Sequence, residues 1–230
     1  MTGLQVADSF LVVDGAVRGL DLHRDRFLGS CAAAGVDAAA FWDQQIRRLP
    51  GFGRWFPRFE LHDTGQLAVQ RRPAPTTGGR VRVAVHEGPD PRTAPRTKGP
   101  DLDLLGELKA AAPHRADEIL LVDTDGTALE AAYSAIAWWE DETLCFPPPD
   151  RPLLPSVTAT LLRQLATAQG VPVAEHPRTS PDLQSREVWL LNALHGIRPV
   201  QAWNDSPIDP LPNSTAETWQ SHLTALARPL

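Results

Sequence analysis

Apolar and polar positions in this 230-residue chain follow two periods, and the switches between them mark the elements. Residues 9–17 read as a hairpin around Asp14-Gly15, a dipeptide that tolerates the left-handed backbone of a two-residue turn. Leu22, Phe27, Leu28 and Cys31 share a helical face, so a helix is expected over 21–34, ending at Gly35. A second helix is expected over 36–49, closed by Pro50. Residues 56–72 read as two strands around Asp63-Thr64-Gly65, and RVRVAVH over 80–86 alternates as a strand. Further on, the pattern predicts a strand over 118–122, a turn over 123–126, and one strand running through Glu130 to Trp139. Residues 143–146 fold back on it as a hairpin. A helix over 156–169, strands near 171–175 and 187–192, a loose stretch over 204–214 and a terminal helix over 215–227 complete the chain.

Residues 87–100 (EGPDPRTAPRTKGP) break this regularity with four prolines and two glycines, which marks an interdomain connector. Asp101 stands where it would cap a following helix bearing Leu102, Leu105 and Leu108. The expected fold is α/β (α+β) in two lobes: an N-terminal α/β lobe over 1–90, a connector over 91–100 and a C-terminal α/β lobe over 101–230.

Charge and composition narrow the function. The net charge is −6 and no Lys/Arg-rich run occurs, which argues against a nucleic-acid or anionic-membrane partner. The longest apolar run, 131–139, is too short to cross a bilayer, and the N-terminus lacks the pattern of a signal peptide, so a cytoplasmic location is expected. Cys31 and Cys145 lie far apart and the seven histidines are scattered, so no metal site is expected. No serine has a GxSxG context. Only two of the 22 cations, Lys98 and Lys109, are lysines, so amine chemistry has two possible seats. Lys109 falls beside three alanines in a helix with no catalytic context.

Lys98 ends the connector, at a lobe junction where clefts form, and a lysine of lowered pKa there can form a Schiff base with an aldehyde. Glu130 sits among uncharged neighbours, where a buried carboxylate needs a cationic partner such as a protonated pyridine nitrogen. Ser156 caps a helix whose first amides, on Val157 and Thr158, would suit a phosphate, with the Thr158 hydroxyl beside them. His23 and Arg26 share a helical face, and arginine grips phosphate through paired donors. Finally, the turn Asn192-Ala193-Leu194-His195-Gly196 follows a strand, offers exposed amides to an anion, and has His195 and Arg198 beside it.

In this order, the stretches LDLHRDRF, ADEILLVDTDGTALEAAYSAIAWW, LLPSVTATLL and REVWLLNALHGIRPV, with the connector lysine, resemble the class IV pyridoxal-phosphate aminotransferases. That family includes branched-chain and D-amino-acid aminotransferases and aminodeoxychorismate lyase. The resemblance runs from about Ser9 to Trp203 and implies a fold-type IV enzyme with pyridoxal 5'-phosphate between the lobes. It implies that Lys98 carries the cofactor as a Schiff base and shuttles the α-proton, and that Glu130 pairs with the pyridine nitrogen. Arg26, Val157, Thr158 and Ala193 would hold the phosphate. The amides of the Ala193–Leu194 turn would meet the substrate carboxylate, with Leu194, His195 and Arg198 on the substrate side. The substrates would be small molecules, an amino acid and a 2-oxo acid, and the assembly a homodimer.

Departures from the family pattern occur in this chain. Many members have Asn shortly after the glutamate and Arg after the helix-start threonine; here those regions read Ser134-Ala135-Ile136 and Ala159. No aromatic residue follows the lysine in KGPDLDLL, and the only tyrosine is Tyr133. Transamination is the leading expectation. The NAL…PV segment keeps open the elimination of pyruvate from aminodeoxychorismate to give 4-aminobenzoate, and the departures leave a non-catalytic family member as a third reading.

Overall fold

In the computed structural model, which describes residues 3–204, 206–208 and 214–230, the chain opens with β1 (Leu4–Ser9) and a hairpin of β2 (Val12–Val13) and β3 (Ala16–Arg18). Asp14 and Gly15 close that hairpin with φ of 47° and 73°, the left-handed pair that matches strand twist. Next come α1 (Leu20–Ala33), α2 (Ala39–Ile46), β4 (Arg54–Trp55), β5 (Arg58–His62) and β6 (Leu67–Gln70). The strands β1-β5-β6 form an antiparallel sheet. Helix α1 buries His23, Phe27 and Cys31, spaced four apart, into a core with Phe10, Trp42 and Phe59. The rings of Trp42 and Phe59 lie 4.4 Å apart. Helix α2 is shorter than its apolar pattern predicts. The Asp37 carboxylate accepts the Ala39 N–H, and the bonds from Arg48 to Gln45 and Leu49 to Ile46 tighten the chain before Pro50.

The second lobe comprises β7 (Val81–Pro89), α3 (Leu102–Ala110), β8 (Glu118–Val122), β9 (Ala128–Ala131), β10 (Ala135–Glu140), β11 (Thr143–Phe146) and α4 (Val157–Ala168). It continues with β12 (Val173–Glu175), α5 (Ser180–Gln184), β13 (Val188–Asn192), β14 (Gly196–Trp203), β15 (Ser206–Pro207), α6 (Ala216–Thr224) and β16 (Ala227–Pro229). A nine-stranded sheet runs β12-β11-β10-β13-β14-β7-β8-β9, with β15 on β14. Helices α4 and α6 pack Leu161, Leu162, Trp219 and Leu223 against Trp189 and Leu191 of β13.

Several expectations change. Strand β7 lies between β14 and β8, with parallel pairing on both sides, so it belongs to the second lobe. The chain therefore passes between lobes over 71–80, not 91–100. Proline-rich 90–100 is instead a strap leading from β7 to α3. The single strand expected through Glu130 to Trp139 is two, broken by the turn at Ala132-Tyr133 and closed by an Ala131–Ser134 bridge. No Gly or Pro announces that turn, because Glu118 holds it through the Tyr133 N–H and the Ser134 hydroxyl. The terminal helix ends at Thr224, and β16 returns to pair with β3 in the first lobe's sheet β16-β3-β2-β4. Of the stretch expected to be loose, Ser206–Pro207 pairs with Ala202–Trp203; residues 205 and 209–213 lie outside the described residues. No helix among the described residues is long and apolar enough to cross a membrane.

Candidate functional site

A cavity of about 300 Å³ opens between the lobes, and Lys98, Arg26, Glu130, Val157, Thr158, Ala193, Leu194, His195 and Arg198 all line it. Residues as far apart in the chain as Arg26 and Arg198 are thus brought to one place by the long-range pairing of β7, β13 and β14.

The backbone of Lys98 is seated on the first lobe. Its carbonyl accepts the Ala7 N–H of β1 at 2.6 Å. Gly99, at φ 146°, approaches β1 so closely that a Cβ there would lie 2.8 Å from the Gln5 carbonyl oxygen and the Val6 Cα. Asp101 stands at the helix start as expected, yet its carboxylate does not cap α3. It accepts instead from the Thr93 N–H (3.1 Å) and hydroxyl (2.9 Å) and from the Ala94 N–H (2.9 Å), fixing the strap that carries the lysine. Burial pushes the Lys98 ammonium down to about 8, and repulsion from Arg26 adds to this; Asp8 and Glu130 pull the other way.

Arg26 and the start of α4 form one polar corner of this lining. Arg26 donates through Nε to Asp8 Oδ2 at 2.7 Å and through Nη1 to the Pro155 carbonyl at 2.9 Å. His23 Nδ1 lies 2.7 Å from Asp8 Oδ1. Burial alone would raise the Asp8 carboxyl, but Arg26 and His23 hold it at about 2. Burial also lowers His23, against the pull of Asp8. Beside Arg26, Ser156 caps α4 by accepting the Ala159 N–H, and the amides of Val157 and Thr158 donate to no described residue.

Glu130 also lines the cavity. Its Oε1 accepts from Arg92 Nη1 at 2.6 Å and from the Leu154 N–H at 2.9 Å, while Oε2 has no hydrogen bond to a described residue. Arg92 also clasps both oxygens of Asp90. Burial raises the Glu130 carboxyl and Arg92 opposes that rise.

The far wall is a network. Glu118 Oε1 accepts from Ser134 Oγ (3.0 Å) and Arg198 Nη2 (3.1 Å), and Asn192 Nδ2 donates to the same Ser134 hydroxyl. Burial raises the Glu118 carboxyl, with Arg198 and Lys109 opposing. His195 Nδ1 accepts the Gly78 N–H at 3.2 Å; burial, with Arg198 and Lys109 adding to it, pushes its pKa down to about 4. One expectation is corrected in part here. Of the Ala193–Leu194 amides, that of Leu194 donates to Asn192 Oδ1 at 3.1 Å, as the His195 N–H does at 2.8 Å. A second correction concerns Lys109, which lines the cavity with Nζ 5.5 Å from the Tyr133 ring centre.

Sequence reasoning did not single out Asp8, Arg92 or Glu118, each of which orients a cavity residue. For Arg92 a local signal existed, since Asp90-x-Arg92 inside a strap is a ready-made ion pair. Seven cations line the cavity (Arg26, Arg58, Arg72, Arg92, Lys98, Lys109, Arg198) against three carboxylates (Asp101, Glu118, Glu130), so cations predominate in its lining. Elsewhere, Glu140, Cys145 and His176 stand within metal-ligand reach of one another, but Arg178 already holds both Glu140 oxygens at 2.7 and 2.9 Å.

Comparison with known proteins follows the same line. Residues 67–203, more than half of the chain, match the family described as Amino-transferase class IV. No curated protein sequence matches the chain. Among solved structures, a fold IV-transaminase from Curtobacterium pusillum superposes with a TM-score of 0.80 at 21% identity, covering 97% of this chain and 84% of that one. A hypothetical aminotransferase from Mycobacterium tuberculosis, in a PLP-bound form, gives 0.79 at 20% identity, covering 97% and 88%. The 4-amino-4-deoxychorismate lyase from Pseudomonas aeruginosa gives 0.79 at 21%, covering 97% and 90%. At these identities the superpositions establish the fold.

Proposed function

This chain belongs to the class IV aminotransferase family, and on that premise we propose that it moves an amino group between an amino acid and a 2-oxo acid with pyridoxal 5'-phosphate, anchored covalently on Lys98. The observation that carries this reading is that Lys98 shares one cavity with two complementary groups. One is a guanidinium beside unspent helix amides; the other is a carboxylate with one oxygen unspent.

The residues present fit that cofactor. Arg26, the amides of Val157 and Thr158 and the Thr158 hydroxyl suit a phosphate, and the dipole of α4 favours it there. Oε2 of Glu130 is available to a ring N–H, while Arg92 and the Leu154 N–H hold the other oxygen in place. When bound, pyridoxal phosphate supplies an electron sink that makes the substrate α-proton acidic.

The chain's own residues then divide the work. Arg92 opposes the rise that burial imposes on the Glu130 carboxyl, and so favours the charge that a ring nitrogen would meet. Asp8 fixes Arg26 from behind, in the position that a phosphate needs. Lys98 Nζ, lowered by burial to about 8, would be partly neutral near that pH and so could take a proton at the substrate α-carbon and return it. His195, neutral at physiological pH, and Arg198 would border the substrate. Ala193, whose carbonyl accepts from Arg18 at 2.9 Å, would close the phosphate end.

Borohydride reduction followed by peptide mass spectrometry tests the assignment. A phosphopyridoxyl adduct is expected on Lys98; an adduct on Lys109, or none, would overturn it. A second reading is favoured by the Asn192-Ala193-Leu194 turn leading to Pro199-Val200, as in the lyase branch of the family. Pyruvate released from aminodeoxychorismate with no added 2-oxo acid would establish elimination. Turnover that requires a 2-oxo acid would establish transfer.

A further inference from the structure

We infer that Arg18, which does not line the cavity, is a positioning residue for its phosphate end. By tying the Ala193–Leu194 peptide to the first lobe, it holds the Ala193 N–H ready for an anion gripped by Arg26 and the start of α4. This rests on the proposed function, which puts the cofactor phosphate at that corner.

The Ala193–Leu194 peptide is fixed at both of its polar atoms. Its carbonyl accepts from Arg18 Nη2 at 2.9 Å, and its N–H, on Leu194, donates to Asn192 Oδ1 at 3.1 Å. The His195 N–H uses the same acceptor. Among residues 193–195, that leaves the Ala193 N–H as the donor with no described partner. A half-buried backbone donor needs an acceptor, and an anion can supply one. The peptide before Ala193 follows β13 and the peptide after it is held by Arg18, so the free N–H cannot swing away.

Arg18 is an expensive way to hold one carbonyl. Burial lowers its pKa and the charge of Arg54 adds to this, and no carboxylate opposes either. A desolvated guanidinium without a counter-ion destabilises the fold, whereas a thioether of similar length would fill the space without that penalty. The hydrogen bond to Ala193 is the one that Arg18 makes to a described side chain or carbonyl.

The local chain path explains why this position bears the arginine. Arg18 ends β3, and Gly19 leads directly into α1, the helix that carries Arg26. Gly19 also lies against the start of α4, where a Cβ on it would stand 3.2 Å from Val157 Cγ1. Behind the turn, Gln220 of α6 accepts the Ile197 N–H at 2.7 Å. A Cβ on Gly196 would stand 2.7 Å from Arg18 Nη1 and would overlap the Gln220 amide, so the two side chains meet there and brace the turn from both lobes. Arg26, the α4 amides and the Ala193 turn come from separate parts of the chain, and residues 18–19 adjoin all three.

Absorbance titration of the cofactor-free chain in phosphate-free buffer, with pyridoxal 5'-phosphate and separately with pyridoxal, reads this role without turnover. Arg18→Met should weaken pyridoxal phosphate about tenfold, by misplacing one hydrogen bond to a charged group, and should leave pyridoxal within about twofold. Arg18→Lys, which keeps a donor, should recover most of the phosphate preference. Arg54→Met removes a neighbouring charge but not the bond, and should leave the preference unchanged. Gln220→Met loosens the same turn from α6 and should lower the preference too, which keeps the test decisive if Arg18→Met does not fold. Equal losses for the two ligands in Arg18→Met would reduce Arg18 to a structural residue and overturn the inference. So would an equal fall in Arg54→Met, or, with Arg18→Met unfolded, an unchanged preference in Gln220→Met. The borohydride result is separate. No Lys98 adduct in the parent would sink the cofactor reading; an adduct with a preference that Arg18→Met does not alter would sink the positioning role alone.

Discussion

Replacing Arg92 by Met should expose what holds the ring end of the cavity together. Arg92 is 5% exposed as a side chain, and its partners Asp90 and Glu130 are 8% and 6% exposed. Met fills most of the aliphatic volume but leaves two nearly buried carboxylates without their cation. Breaking one buried pair in this way costs about 3–5 kcal/mol, so a loss of about that size is expected in urea or guanidinium unfolding. The penalty should depend on pH. With Arg92 gone, the Glu130 carboxyl rises further above its unfolded value, because burial already pushes it up and only Arg92 and the Leu154 N–H resist. The folded state then binds a proton that the unfolded state has released, so stability falls as pH rises from about 4.3 to the folded value. The mutant should therefore approach the parent toward pH 4 and diverge from it at pH 7. Arg92→Met/Glu130→Gln should recover part of the loss at neutral pH, with little pH dependence. A loss under about 1 kcal/mol at pH 7, or a penalty equal at pH 4 and pH 7, would refute the role given to Arg92.

Three further outcomes follow from the same geometry. In cofactor-free protein, acylation of Lys98 should be half-maximal near pH 8 rather than the ordinary 10.5, and Arg26→Met should move the midpoint upward; a midpoint near 10.5 would contradict the assigned environment. Because the unfolded chain keeps that proton up to 10.5, the Lys98 contribution to stability should rise from pH 8 to 10.5. Gly99→Ala combines a left-handed φ with contacts at 2.8 Å and should lose about 2–4 kcal/mol in denaturant titration, together with the Lys98 adduct; a loss below about 0.5 kcal/mol would mean that β1 does not seat the lysine. Thr158→Val should weaken pyridoxal phosphate binding about tenfold, by the loss of one hydrogen bond to a charged group, with the unfolding midpoint of the apoprotein little changed.

Lys98, Glu130 and the start of α4 were legible because each coincides with a local signal: a proline-rich strap, an apolar run after a turn, and a capping serine. What surrounds them was not. Asp8 meets Arg26 across eighteen positions, and Arg198 meets Glu118 across eighty, so no local pattern reports either contact. The place of β7 in the second lobe depends on parallel pairing with β14, more than a hundred residues away. The Ala132-Tyr133 turn was hidden inside an apolar run because its support comes from Glu118 rather than from Gly or Pro. Lys109 was set aside on the composition of its own helix, whereas its surroundings come from the turn after β9, from Glu118 of β8 and from His195 between β13 and β14.

The return of β16 to β3 has a consequence for modularity. The polypeptide passes from the first lobe to the second over 71–80 and passes back again before Ala227. A cut in the first passage would leave the N-terminal piece without a strand of its own sheet, and that strand would remain attached to the other piece. Neither lobe is a transplantable unit. An exchange of either between related proteins needs two junctions, and the match at the second would decide whether the sheet next to Arg18, and through it the Ala193 turn, closes correctly.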